Sequence, residues 1–86
     1  MSKKEKVFTK ENVLNFNRLC LVARFNKREV QKDLFGKVLG LNIFVPELNG
    51  TITKELGMVA KRVGCRWFVD GMTDNRKYLI VKLVKR

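Results

Sequence analysis

The chain has 86 residues, of which 19 are Lys or Arg and 8 are Asp or Glu, so its formal net charge is +11 at pH 7. Hydrophobic residues make up 45% of the sequence, which is typical of a folded chain, and this length allows one hydrophobic core. No apolar run reaches the roughly 18 residues needed to cross a bilayer, and no apolar segment follows the basic N-terminus as in a secretory signal. We therefore expect one intracellular domain, and the absence of histidine removes the commonest metal ligand and general base.

The positive charge is concentrated towards the two ends of the chain. Residues 1–28 carry eight Lys and Arg against two carboxylates, and residues 54–86 carry nine against three. Residues 29–53 have a net charge of −1. Clustered cations release condensed counterions when they neutralise phosphates, so this distribution favours a nucleic-acid partner. The alternative is a basic domain whose charge only keeps its own copies apart.

The N-terminal part of the sequence predicts a short arm and a first helix. Residues 1–8 are expected to be a flexible basic arm, and residues 9–86 a single small nucleic-acid-binding domain. The cations of the arm are Lys3, Lys4 and Lys6. Thr9 is a suitable N-cap, so we expect a helix from the next residue. Residues 18–25 fit either a helix or a strand, and we favour a helix through about the end of this segment.

Apolar residues at helical spacing predict a second helix over residues 27–39. One side of this segment is apolar and the other is charged. The apolar residues are Val30, Leu34, Phe35, Val38 and Leu39. Gly40 then suits the left-handed position that ends a helix.

Residues 41–50 contain the only proline and end on an Asn-Gly pair, which favours a turn. We interpret them as a connection with an extended apolar piece at residues 43–45. If the apolar segment 41–48 is exposed, it is a candidate interface for a second copy or for another protein.

A third helix and a β-hairpin are predicted for the C-terminal part. Thr51 is a suitable N-cap, the apolar residues up to Val63 occupy one arc of a helix, and Gly64 ends it. Residues 66–72 and 77–84 are rich in aromatic and branched side chains, and the four polar residues between them form a turn.

The face of the third helix opposite its apolar arc is basic. Lys54 and Lys61 lie two turns apart on this face, and Gly57 between them leaves space for another surface. Such a helix can lie in a major groove while the hairpin contacts the flanking backbone. The alternative is an ordinary solvated helix face. The residues predicted to contact nucleic acid are Thr53, Lys54, Met58, Lys61, Arg62, Arg66, Arg76 and Lys77.

In the order of their elements, residues 28–86 resemble the winged helix-turn-helix family, with residues 51–64 as recognition helix and the hairpin as wing. The connection 41–50 departs from the short turn of that family. The expected fold is α+β, three helices packed with a C-terminal β-hairpin, winged-helix-like. The resemblance implies a small duplex-DNA-binding protein that acts as a regulator, for example of transcription, or as an accessory factor.

Three aromatic residues have two interpretations. Trp67, Phe68 and Tyr78 lie on a basic β-surface, where aromatic rings can stack unpaired bases. They can equally belong to the core. Trp67 and Phe68 point to opposite faces of their strand, so we expect at least one of them to be core.

Catalytic motifs are absent from the sequence. The eight carboxylates are scattered, and neither a Gly-rich phosphate loop nor a nucleophile elbow occurs. Cys20 and Cys65 belong to no metal-binding spacing and are expected to be reduced thiols. We therefore expect no enzyme, no metal and no cofactor. Two other functions fit the same charges: binding to RNA or a ribonucleoprotein, and a small virus- or plasmid-borne inhibitor that docks on a nucleic-acid enzyme.

Overall fold

The computed structural model describes residues 8–86, which form two α-helices and four β-strands. In chain order the elements are α1 (Lys10–Val22), β1 (Arg28–Lys32), β2 (Val38–Val45), α2 (Gly50–Val63), β3 (Cys65–Met72) and β4 (Leu79–Lys85). The predicted arm cations Lys3, Lys4 and Lys6 lie outside the described residues. Phe8, the last residue of the predicted arm, is buried and forms a β-bridge with Val38.

All four strands form one antiparallel sheet of order β1-β2-β4-β3. The two central strands are β2 and β4, and Ile43 of β2 pairs with Arg28 on one side and Val81 on the other. Alternate residues of a strand share one face of a sheet. The apolar residues of one face pack with both helices into a single core. The buried members of this core are Phe8, Phe16, Cys20, Phe25, Leu41, Ile43, Val45, Leu56, Val59, Ala60, Val63, Cys65, Val81 and Leu83.

The helix α1 begins where the sequence predicts and ends earlier. Thr9 Oγ1 accepts a hydrogen bond from the N–H of Asn12 (3.1 Å), and Asn12 Oδ1 accepts one from the N–H of Thr9 (3.0 Å). This reciprocal pair is a capping box, so the predicted N-cap is confirmed. The helix ends at Val22 because Arg24 adopts a left-handed φ of 64°. The predicted extension to Phe25 is therefore wrong by three residues.

The predicted helix over residues 27–39 is wrong, because these residues form β1, a turn and the start of β2. The Asp33 carboxylate accepts hydrogen bonds from two backbone N–H groups of the turn, at 2.8 and 2.9 Å. Gly36 supplies the left-handed turn residue, with φ 82°. Leu34 and Phe35, which a helix would place on its apolar side, are 99% and 90% exposed at this turn. They therefore do not contribute to the core.

Much of the predicted connection 41–50 belongs to β2. Leu41, Ile43 and Val45 are buried because β2 is a central strand whose apolar side faces the helices. These three residues are therefore not available to a partner. Leu48, beyond the strand, is 39% exposed.

The predicted helix near the C-terminus is confirmed as α2, with a different N-cap. Asn49 Oδ1 accepts a hydrogen bond from the N–H of Ile52 at 2.9 Å, so Asn49 rather than Thr51 caps the helix. The helix ends at Val63 as predicted, and Gly64 follows with a left-handed φ of 75°.

The predicted three-helix, winged-helix-like arrangement is wrong. The C-terminal hairpin is confirmed as β3 and β4, but it is no separate wing, since β4 also pairs along its length with β2. Residues 8–86 therefore form an α+β fold in which both helices cover one face of a four-stranded sheet. Neither helix is long and apolar enough to span a membrane.

Candidate nucleic-acid interface

The sheet has one face covered by the helices and one open face. Residues that pair in register on neighbouring strands point to the same face. Asn42, Lys82 and Phe68 pair across β2, β4 and β3 and lie opposite the core. Within residues 8–86 no helix covers this open face, which consists of Glu29, Gln31, Gly40, Asn42, Phe44, Arg66, Phe68, Asp70, Ile80, Lys82 and Val84.

The predicted contact residues of α2 have different environments. Lys54 and Lys61 are exposed on the side opposite the buried arc of the helix. Met58 is partly buried and packs against the core. Thr53 is half-buried, and its hydroxyl donates to the carbonyl of Asn49 at the start of the helix, at 2.9 Å. Lys54 and Lys61 are therefore the two exposed residues among these four.

Several cations meet where α2 is followed by β3. The N–H of Arg86 donates to the carbonyl of Gly64 at 3.2 Å, which brings the last residue of the chain to this junction. Arg62 and Arg18 line a hollow of about 320 Å³ between the two helices, and none of the described carboxylates lines it. We call the exposed set at this end of the fold the junction cations: Arg18, Arg62, Arg66 and Arg86.

The remaining predicted contacts lie at the other end of the sheet. Arg76 and Lys77 belong to the turn between β3 and β4, whereas Arg66 is near the start of β3. A strand of eight residues is about 25 Å long. The structure therefore divides the predicted residues between two ends of the fold, and between the helix side and the open side of the sheet.

The three aromatic residues considered for base stacking also have different environments. Trp67 packs against the core, and a Cβ added at Gly57 would lie 4.0 Å from Trp67 Nε1. The space beside Gly57 is therefore next to Trp67 and not on the outer surface of α2. Phe68 is 43% exposed on the open face. Tyr78 is half-buried, with Lys27 Nζ 5.2 Å from the centre of its ring.

Two adjoining hollows of about 310 and 400 Å³ lie beside Tyr78. Both are lined by Asn26, Lys27, Phe44 and Tyr78. We call them together the Tyr78 cleft. Arg24 lines one hollow, and the turn between β3 and β4 lines the other through its residues 73 and 75. The cleft combines aromatic rings with cations and side-chain amides.

The sequence pattern alone does not single out Lys27 or Phe44 as site residues. Both lie in segments that it assigns to a helix and a connection, and only the strand register places Phe44 opposite Ile80 on the open face. The Asp and Gly of the turn at residues 33–36 were the available signal for a hairpin here. Lys82 alternates with the core residues Val81 and Leu83 along β4, which places it on the open face.

Few of the cations have a carboxylate partner within the described part of the chain. Leaving aside Lys37 and Lys85, the Lys and Arg residues from position 8 onward form one ion pair, between Lys82 Nζ and Asp70 Oδ2 at 4.0 Å. A surface pair of this kind contributes about 0–1 kcal/mol. Most of the excess positive charge is therefore presented to solvent.

The centre of the open face has a buried acceptor. Asn42 is 5% exposed, and its Oδ1 has no hydrogen-bond partner among the described residues. Its Nδ2 donates to Glu29 Oε1 at 3.3 Å. A buried acceptor without a donor is unfavourable for the folded chain.

The cysteines are buried free thiols. Burial raises the pKa of Cys20 to about 11, with the nearby Arg28 acting in the opposite direction. Burial also raises the pKa of Cys65, which Lys85 and Arg86 oppose. Both side chains are therefore protonated at neutral pH and are poor nucleophiles. Among residues 8–86 no three His, Cys, Asp or Glu side chains are placed to hold a metal ion.

Comparison with known proteins gives no relative for this chain. No protein-family model, no curated protein and no solved structure matches it. Its function is therefore inferred from the chemistry of its surfaces.

Proposed function

We propose that this chain is a non-enzymatic nucleic-acid-binding protein whose junction cations contact phosphates. The observation that supports the proposal is uncompensated charge: the net charge is +11, and most cations of residues 8–86 have no carboxylate within ion-pair distance. Cations kept apart from carboxylates gain most from a polyanion, because each phosphate they neutralise releases condensed counterions.

The shape of the junction fits this role. Arg18 and Arg62 come from different helices and line the same hollow, so one phosphate can approach both guanidinium groups. Arg66 and Arg86 extend the positive surface towards the open side of the sheet. Phosphate contacts of this kind bind and orient the nucleic acid but do not select its sequence.

Charge alone does not choose the form of the nucleic acid. Duplex DNA is the partner that a recognition helix and wing would imply, and the fold lacks that arrangement. Duplex binding through Lys54 and Lys61 on the outer side of α2 stays a prediction, with RNA as its alternative. The proposed location is the cytoplasm, with association to the nucleoid if the partner is DNA.

A second candidate function is docking on a nucleic-acid enzyme as a small inhibitor. The observation that favours it is the outer side of α1, where Leu14, Leu21 and Val22 are 63%, 61% and 72% exposed. Exposed apolar side chains beside cations are typical of protein interfaces.

Fluorescence anisotropy with labelled duplex DNA, single-stranded DNA and hairpin RNA tests the first proposal. We expect the logarithm of the binding constant to fall linearly with the logarithm of salt concentration. R62E/R66E should weaken binding and reduce the salt slope on duplex DNA by about 0.9 for each phosphate that is no longer neutralised. The matched control is K10E/K32E, which makes the same change in net charge at exposed residues outside the junction.

Three results would count against the proposal in different ways. The absence of binding to every probe at low salt would refute it and would favour a protein target. Equal weakening by R62E/R66E and K10E/K32E would refute the role of the junction cations, since net charge alone would then explain binding. If K54E/K61E reduces duplex binding more than R62E/R66E does, the outer side of α2 is the main contact.

A further inference from the structure

We propose that the Tyr78 cleft takes an unstacked base of a single-stranded nucleic acid, with Arg24 and Arg76 contacting the adjacent phosphates. This inference rests on the proposed function and adds to it the form of nucleic acid and a second contact site. The site lies at the end of the sheet opposite the junction cations.

The cleft has the dimensions and chemistry of a base site. Its two hollows, of about 310 and 400 Å³, are at the lower end of the range for small-ligand pockets. Phe44 and Tyr78 supply aromatic surface, and both are half-buried. Stacking on such rings accepts any base, since every base has a π-face. A base inside a duplex is already stacked and paired, so it must be extruded before it can enter.

The charges around the cleft match a phosphate backbone. Arg24 lines the cleft, and Lys27 Nζ lies over the Tyr78 ring, 5.2 Å from its centre. A base that stacks on this face of the ring displaces the Lys27 ammonium group and keeps its charge near the phosphates. Among the described residues that line the cleft, Glu55 is the one carboxylate. Positive charge therefore prevails where the backbone of a single strand would run.

Two arginines near the cleft adopt a backbone conformation that favours glycine. Arg24 has a φ of 64° and Arg76 a φ of 59°, and they are the non-glycine residues with positive φ in the described chain. The same fold has glycine at the equivalent places. The left-handed residue after α1 is Arg24, whereas the one after α2 is Gly64. In each hairpin turn the left-handed residue donates its N–H to the carbonyl three residues earlier, at 3.1 Å for Gly36 and 2.8 Å for Arg76.

Both arginines thus stand where this same molecule elsewhere uses glycine. Strained backbone positions cluster at binding and active sites, so these two residues support a role for their side chains. Arg24 lines the cleft, and Arg76 belongs to the turn that lines its other side. A guanidinium group suits the task of binding a backbone, because its planar set of donors matches phosphate oxygens.

The aromatic part of the proposal is tested by Tyr78→Leu, which removes the ring, and by Tyr78→Phe, which keeps it. The matched control is Phe35→Leu, which removes a 90% exposed aromatic ring from the other hairpin turn. The probes are single-stranded DNA and single-stranded RNA of one base sequence, and the duplex of that DNA. We expect Y78L to bind single strands about 5- to 150-fold more weakly, the range for loss of a stacking aromatic. Y78F and F35L should bind like the wild type.

The arginine part is tested by Arg24→Gly and Arg76→Gly. Each should lower the salt slope for single-stranded DNA by about 0.7, which corresponds to one phosphate contact. Fluorescence of Trp67, the only tryptophan, reports whether the core beside α2 is intact in every variant. A loss of stacking should leave the salt slope unchanged, and this separates the two contributions.

The outcomes distinguish this inference from the proposed function. If the wild type binds and Y78L, with an intact core, binds single strands as tightly, the cleft is not a base site and only this inference fails. A uniform loss by Y78L on single strands and duplex alike would also overturn it, because a base site prefers unpaired bases. If the wild type binds no probe, both proposals fail. Comparison of single-stranded DNA with single-stranded RNA shows whether the sugar affects binding. Tighter binding of either single strand than of the duplex supports the site.

Discussion

Replacing Arg24 with glycine is expected to stabilise the folded chain. Arg24 is the left-handed residue just beyond the C-cap of α1, with a φ of 64°. Its N–H donates to the carbonyl of Leu21 at 3.2 Å, and the N–H of Phe25 donates to that of Cys20 at 2.7 Å. These two bonds form a Schellman ending, in which glycine is the preferred left-handed residue because it has no Cβ.

The expected gain follows from two opposing terms. The left-handed conformation costs a residue with a Cβ about 1–2 kcal/mol. Glycine removes this strain but has more conformational freedom in the unfolded chain, which costs about 0.4–1 kcal/mol on folding. The net gain should be about 0.5–1 kcal/mol, which for a domain of this size raises Tm by about 2–8 °C.

The control is Arg24→Ala, which removes the guanidinium group but keeps the Cβ and therefore the strain. Urea unfolding followed by circular dichroism gives the free energy of unfolding for R24G, R24A and the wild type, and equal m-values show that the same surface unfolds. We expect R24G to be the most stable of the three. If R24G is no more stable than R24A, the reasoning from backbone strain is refuted.

Two further predictions concern stability alone. Asn49→Ala should destabilise the chain by about 1 kcal/mol because α2 loses its N-cap, whereas Thr51→Ala should change stability by less than about 0.5 kcal/mol; urea unfolding of both checks this. Because burial raises the pKa of Cys20 from 9.0 to about 11, the unfolded chain loses this proton at lower pH than the native chain does. The free energy of unfolding should therefore fall as pH rises from about 9 to about 11, by at most about 3 kcal/mol, and Cys20→Ala should remove that part of the dependence in unfolding measured under reducing conditions.

The elements that were predicted correctly are those whose signals are local. The capping box at Thr9, the apolar arc of α2 and the glycine after Val63 each involve residues within a few positions of one another. The hairpin of β3 and β4 also has a local signal, because a polar turn separates two segments rich in aromatic and branched residues. Short-range sterics and hydrogen bonding are sufficient to determine such features.

The hairpin of β1 and β2 was not predicted because its apolar residues have helical spacing, whereas its structure depends on pairing with a distant strand. Val30, Leu34 and Val38 fit a helix by spacing, but β2 is held as a central strand by β4, about 40 residues later in the chain. Pairing at that distance in sequence leaves no periodic mark in the segment itself. Asn49 shows a related ambiguity, since asparagine favours both a turn and a helix N-cap.

The candidate site was predicted in composition but not in arrangement. Charge placement identifies Lys61, Arg62 and Arg66 as candidate contacts of a polyanion, and these three do lie at one end of the fold. Arg76 lies at the other end because β3 carries the chain across the whole sheet before the turn. Phe44 joins Tyr78 only through the pairing of β2 with β4. A sequence gives the residue types of such a site, and strand register decides which of them meet.

The free chain thus carries two kinds of unfavourable energy in the same molecule. At the junction, Arg18 and Arg62 line one hollow that no described carboxylate lines. Arg24 and Arg76 adopt the left-handed conformation that Gly64 and Gly36 adopt without strain. Neither feature helps folding, so each is a position where a substitution is expected to stabilise the free chain. Under the proposed function, a polyanion would neutralise the first and would offer phosphates to the two arginines. The proposed partner, a strand of nucleic acid rather than a small anion, is long enough to reach both ends of the sheet.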